Sequence, residues 1–105
     1  MISETTIRKV RELAIEDVLS PYVRLSRKGS TLMGLCPFHT EKTGSFAVTP
    51  GKNLFHCFSC NRGGDSITFI MEKENLSFSA AVEFIARNHN IPVEYISEER
   101  SEEQM

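Results

Sequence analysis

The sequence predicts an α+β fold, a small antiparallel β-sheet flanked by short N- and C-terminal helices. Three observations carry this expectation. An apolar helical period runs through residues 4–20 and returns after residue 65. Between those segments the period gives way to short alternating runs separated by turn residues. Two pairs of metal-ligating side chains then punctuate the alternating stretch. A chain of 105 residues, 40% hydrophobic and 25% charged, fits one folded unit, expected over 1–96.

The first element is helical. Ile7, Val10 and Ala14 share a face, Leu13 extends it, and Ile15, Val18 and Leu19 continue the pattern. The register shifts near Ala14-Ile15, so one helix and two short ones are both compatible with it. Pro21 closes the segment.

The middle reads as strands. Tyr22, Val23 and Leu25 predict one, Lys28-Gly29-Ser30 a turn, and Thr31 to Leu35 a return strand. Ser45 to Thr49 alternates and stops at Pro50-Gly51, and Leu54 to Phe58 follows. Asn61-Arg62-Gly63-Gly64 reads as a tight reversal.

Asp65 suits a helix N-cap, because its carboxylate can accept from the open N–H groups of the first turn. A helix is predicted from Ser66 to about Lys73, with Ile67, Phe69, Ile70 and Met71 apolar. Ser77 or Ser79 caps a last helix, with Ala81, Val82, Phe84, Ile85 and Ala86 as its buried side and Asn90 and Pro92 as its stop. Residues 97–105 hold four Glu and no aliphatic side chain before Met105, so an acidic, disordered tail is expected.

The chemistry lies in Cys36-Pro37-Phe38-His39, followed after seventeen intervening residues by Cys57-Phe58-Ser59-Cys60. A gap of two residues lets both side chains of a pair point at one centre. Two such pairs supply four donors, three thiolates and an imidazole, which suits one tetrahedral zinc ion with no open position. Such a closed Zn2+ site is structural. A redox role for Cys57-x-x-Cys60 needs a βαβ context, which the pattern lacks. His56 adjoins Cys57, and neighbours on a strand face opposite ways, so one of the two looks away from the centre. His89 reads as a surface or packing histidine. Three cysteines also argue against a disulfide framework.

The net charge of −2 is unevenly spread. Residues 22–65 carry six bases against two acids, while residues 66–105 carry three against eight. Arg24, Arg27, Lys28, Lys42, Lys52 and Arg62 share the basic stretch with Phe38, Phe46, Phe55 and Phe58. Bases on a sheet attract phosphates, and exposed rings stack on unpaired bases. Core packing is the competing role for the rings, and at least two of the four are expected to be buried. No catalytic constellation appears: there is no Walker lysine loop, no dinucleotide turn in a βαβ unit, and no carboxylate set placed for magnesium. No apolar run is long enough for a membrane helix, and Met1 to Thr6 lacks the pattern of a signal peptide, so a cytoplasmic location is expected.

From Leu35 to Phe69 the chain closely resembles the N-terminal zinc-binding domain of bacterial-type DNA primases. The matching residues are Cys36-Pro37-Phe38-His39, Glu41-Lys42-Thr43, Ser45-Phe46, Val48, Pro50, Lys52, His56-Cys57-Phe58, Cys60, Gly63-Gly64-Asp65 and Phe69. Asp17-Val18-Leu19, the Val23 to Lys28 segment, Phe78, Ala81 and Ile85 extend the likeness over about residues 6–93. The chain departs from the family at Gly44, where proline is usual, and at Ser59 and Asn61, where glycine is usual.

The resemblance implies a zinc ribbon, a small antiparallel sheet with flanking helices, and zinc on Cys36, His39, Cys57 and Cys60. It implies a module that binds single-stranded DNA template and assists a separate polymerase domain, in cis or in trans, in making RNA primers. A replicative helicase is a further partner it suggests. Lys42 and Lys52 are the first candidates for DNA contact, followed by Phe46, Phe58 and Arg62, with Arg24 and Lys28 beside them. The residues after 93 are too few for a polymerase domain, which leaves a piece of a longer primase and a free-standing module both open. A different class of function also stands: a zinc-ribbon interaction module docking on a polymerase or helicase without DNA affinity of its own.

Overall fold

The computed structural model describes residues 1–38 and 45–96. His39, Lys42 and Gly44, and the acidic segment 97–105, lie outside the described residues.

The N-terminal helical pattern resolves into two helices, α1 (Glu4–Glu12) and α2 (Ile15–Leu19). Ser3 caps α1, its hydroxyl accepting from Thr6 N at 3.3 Å. Ala14 caps α2 and has no side chain to offer, so the Ile15 N–H goes instead to Asn53 Oδ1 at 2.9 Å. The apolar register shift at Ala14-Ile15 therefore marks a real break.

Five antiparallel strands follow: β1 (Ser26–Lys28), β2 (Thr31–Gly34), β3 (Phe46–Thr49), β4 (Leu54–Cys57) and β5 (Gly63–Gly64). They pair in chain order as a meander. Then come α3 (Ser66–Lys73) and α4 (Phe78–Asn88). Asp65 caps α3 as the sequence predicts, accepting from Thr68 N at 2.9 Å and Thr68 Oγ1 at 3.0 Å. Ser77, not Ser79, caps α4 through a bond from Ala80 N at 3.2 Å.

Three expectations are corrected. The first strand does not begin at Tyr22. The N–H groups of Tyr22 and Val23 both return to Leu19 O, at 2.8 and 3.1 Å, so the chain is still turning out of α2. Val23 is buried in the core, and pairing starts only at Ser26. Gly63-Gly64 is more than a reversal, because it pairs with Phe55 and His56 as a fifth strand. A Cβ on Gly63 would meet Phe55 O at 3.0 Å, so only glycine allows this close approach. Finally, Phe84 is half-buried, packing at the margin of the core instead of inside it.

Register assigns the two faces of the sheet. Directly paired residues share a face. Leu32, Val48 and Phe55 form one inner row, and Phe46 and Cys57 another. Met33, Ala47, His56 and Gly63 line the outer face. The inner rows pack on the helices through rings: Phe46 stacks on Phe55 at 5.4 Å, and Phe69 of α3 meets Phe55 edge-on at 5.4 Å. Ile15, Leu19, Ile67, Ile70, Val82 and Ile85 complete the same buried cluster.

Candidate metal centre and outer sheet face

Cys57 ends β4, and Cys36 lies two residues beyond the end of β2. The cross-sheet row Gly34, Phe46, Cys57 brings those strand ends level on the inner face. Cys60 returns through a tight knuckle. Its closing bonds run from Asn61 N to Cys57 O and from Cys57 N to Arg62 O, both 2.8 Å. Asn61 takes a positive φ of 62°, which asparagine tolerates. Ser59 needs no positive φ, so serine is at ease where the primase family usually has glycine.

The sulfur atoms of Cys36, Cys57 and Cys60 all lie within 4.8 Å of one another. Cys36 Sγ and Cys60 Sγ are 3.7 Å apart. A disulfide would need about 2.05 Å. Tetrahedral zinc, with Zn–S near 2.3 Å, sets sulfurs about 3.8 Å apart. The donor set thus fits a zinc ion in both chemistry and spacing. Burial pushes the Cys36 thiol up to about 12, the neighbouring Cys57 and Cys60 sulfurs push the same way, and a backbone hydrogen bond at Phe38 opposes them. At neutral pH, then, the thiol ionises when a cation arrives to take the charge.

His56 is not part of this cluster. It stands on the outer face, paired with Ala47, while its neighbour Cys57 points inward. Its ring meets Phe58 at 4.7 Å. His89 is the C-cap residue of α4 and is not a member of the cysteine cluster.

The other candidate residues separate sharply. Arg24, Lys28 and Lys52 are exposed. Arg24 and Lys28 line a groove with Ser26, Met33, Gly34 and Leu35 at the β1–β2 edge. Lys52 sits in the turn between β3 and β4. Arg62 is exposed but engaged: its guanidinium lies 4.8 Å over the Phe38 ring and 3.5 Å from Glu72. Phe58 is 69% exposed. Phe46 is 0% exposed, and this overturns its candidacy for DNA contact. Its strand position turns the ring inward against Phe55 and Phe69, which leaves no face for a nucleobase. Phe55 is buried as well, so two of the four rings are core, as expected.

Asn53 escaped the sequence reading. It sits in the β3–β4 turn with φ 56°, and its Nδ2 donates to Arg11 O at 3.0 Å and Leu13 O at 2.9 Å. With the Ile15 bond, these tie the hairpin to the α1–α2 junction. The one local signal was an asparagine after Gly51-Lys52, which marks a turn and says nothing of a distant partner. Among the described residues no helix is long and apolar enough to cross a membrane.

Comparison with known proteins agrees with this geometry. The CHC2 zinc finger family model matches residues 2–101. DNA primase of Streptomyces coelicolor is 46% identical over 96 residues, covering 90% of this chain and 15% of that protein. DNA primase of Geobacillus stearothermophilus is 48% identical over 86 residues, covering 81% of this chain and 14% of its own length. The chain thus spans about a seventh of these relatives. The crystal structure of the Aquifex aeolicus primase zinc-binding and RNA polymerase domains superposes with a TM-score of 0.78 at 37% identity, over 90% of this chain and 24% of that one. With zinc as its structural cofactor, the chain belongs to the CHC2 zinc finger family and is a zinc-binding domain of the DNA primase type.

Proposed function

We propose that this chain reads single-stranded DNA template on behalf of a primase polymerase domain, in cis or in trans, during RNA primer synthesis. The observation that carries the reading is the division of the sheet. One face is closed by the core and the cysteine cluster, while Phe58 is exposed after β4, Lys28 is exposed on β1, and Arg24 and Lys52 are exposed at the sheet edge and the hairpin turn. Cations on that side meet phosphates, and the ring stacks on an unpaired base. Arg62 is a weaker contact, because DNA must compete with Glu72 and Phe38 for it. Lys42 belongs to the same proposal on the family motif.

Cys36, His39, Cys57 and Cys60 hold the zinc in this reading, with residues 1–96 as the folded unit. A zinc ion there would take these thiols as thiolates, and Cys36 and Cys57 would tie the ends of β2 and β4 through it. This chain's own residues then do the binding: the sheet presents exposed cations and an exposed ring. A replicative helicase is a further candidate partner.

The test is fluorescence anisotropy of a labelled single-stranded oligonucleotide with zinc-loaded protein, at low and near-physiological salt. Binding that weakens steeply with salt is expected. Lys42→Ala and Lys52→Ala should lower affinity with zinc still bound. No binding at low salt would overturn the reading and favour a module that docks on protein alone.

A further inference from the structure

The cysteines sit on two loops that the backbone fixes differently. The loop of Cys57 and Cys60 is closed by its own hydrogen bonds, Asn61 N to Cys57 O and Cys57 N to Arg62 O, both 2.8 Å. Cys57 is also held in register on β4, opposite Phe46. The strand pairing of β2 stops at Gly34 and does not reach Cys36. Phe38, two residues further on, anchors this first loop. Its backbone makes a hydrogen bond with the Cys36 thiol. Its ring packs 5.2 Å from Phe69 and 6.2 Å from Phe55. The ring is only half-buried, and the guanidinium of Arg62 lies 4.8 Å over it. Glu72 of α3 holds the same guanidinium, its Oε1 3.5 Å from Arg62 Nε.

We infer that Arg62 is a positioning residue of the metal centre: its backbone closes the Cys57–Cys60 loop while its side chain holds Phe38, and with it Cys36, against that loop. The inference rests on zinc being held at the cysteine cluster and is independent of DNA binding. A guanidinium has no lone pair to offer a metal, so Arg62 acts through Phe38. The side chains of Arg62 and Glu72 are 47% and 41% exposed, so water screens their ion pair and it stabilises little by itself. Glu72 instead orients the guanidinium over the ring. The flat face matters as well as the charge, because an ammonium in its place cannot stack. An ion in a closed site leaves only after a ligand lets go. By fastening the loop that strand pairing does not reach, Arg62 slows the release of zinc.

The experiment mixes zinc-loaded protein with an excess of a pyridylazo-resorcinol dye and follows transfer of the metal by absorbance. Arg62→Ala should release zinc about two- to fivefold faster than parent, the weight of one cation–π contact at a partly exposed ring. Arg62→Lys should recover only part of that difference, and Glu72→Gln should fall between parent and Arg62→Ala. In a Phe38→Leu background, Arg62→Ala should change the rate no further. Asn53→Ala is the control, since it removes bonds at the α1–α2 junction and should release zinc at the parent's rate. Release from Arg62→Ala at the parent's rate would overturn the inference and leave the zinc site standing. An equal acceleration in Asn53→Ala would also overturn it, because release would then follow global stability. So would an undiminished effect of Arg62→Ala on Phe38→Leu. A parent that holds no zinc overturns the site and the inference together.

Discussion

Asn53 Oδ1 accepts the backbone N–H of Ile15 at 2.9 Å, across 38 positions of sequence. The same side chain donates to Arg11 O and Leu13 O. One turn residue of the sheet thus caps the second helix and fastens the end of the first. The hairpin that carries Lys52 is held by this clasp against the helical layer.

The clasp predicts a graded response in urea melts of the zinc-loaded protein. Asn53→Ala removes three hydrogen bonds and places a Cβ residue without asparagine's tolerance at φ 56°. A loss of about 2–3 kcal/mol is expected. Asn53→Gly loses the same bonds but relieves the backbone, and should recover about 1 kcal/mol of that. Equal stability of Asn53→Ala and parent would show that the bonds contribute nothing.

Two phenylalanines should part company. Phe46→Ala opens the core between Phe55 and Phe69 and should cost about 3–5 kcal/mol. Phe58→Ala should stay within about 0.5 kcal/mol of parent and weaken oligonucleotide binding instead. Thermal melts and anisotropy on the same samples check both. Comparable destabilisation by the two substitutions would contradict the assigned faces.

Zinc loading should release protons. The Cys36 thiol, raised by burial to about 12, is protonated at neutral pH. Its coordination as a thiolate therefore displaces a proton, readable by calorimetry in buffers of different ionisation enthalpy. Loading without any proton release would show that Cys36 does not bind as a thiolate. Chelation should reverse the loading and melt the sheet, seen as loss of near-ultraviolet dichroism.

Tyr22 carries a testable alkaline dependence. Its hydroxyl donates to Glu74 Oε2 at 2.6 Å. Burial, and then the Glu74 hydrogen bond and charge, raise the phenol from 10.0 to about 12. A raised pKa contributes stability that is complete below pH 10 and is lost as pH climbs through about 12. Parent should therefore lose more stability over that window than Tyr22→Phe. Parallel pH profiles of the two proteins would remove the interaction.

Phosphate contacts should appear as salt slopes. Replacing Lys52 or Lys28 by Ala should each flatten the plot of log affinity against log salt by about 0.7, the share of one phosphate on a single strand. Slopes unchanged from parent would take both residues off the DNA path.

Much of the design was legible because it is local. Asp65 and Ser77 each cap a helix three residues before the N–H they bind, so their roles can be read from neighbouring positions. The two-residue gap of Cys57 and Cys60 and the donor chemistry of Cys36 likewise point to a shared centre from the sequence alone. The break between α1 and α2 was visible as a slip in apolar phase.

What only the tertiary structure decided depends on contacts between distant segments. Phe46 and Phe58 both sit in short strand-like runs, and alternation sorts residues into two faces without saying which face the helices cover. The packing of α3 through Phe69 makes that choice, burying Phe46 and leaving Phe58 outside. The late start at Ser26 follows from Val23 bonding back to Leu19, and the strand at Gly63-Gly64 from its close approach to Phe55. Asn53 makes the same point most plainly. A side chain whose partners lie about 40 residues away has no neighbour in sequence to announce them, because hydrogen bonds are set by distance in space.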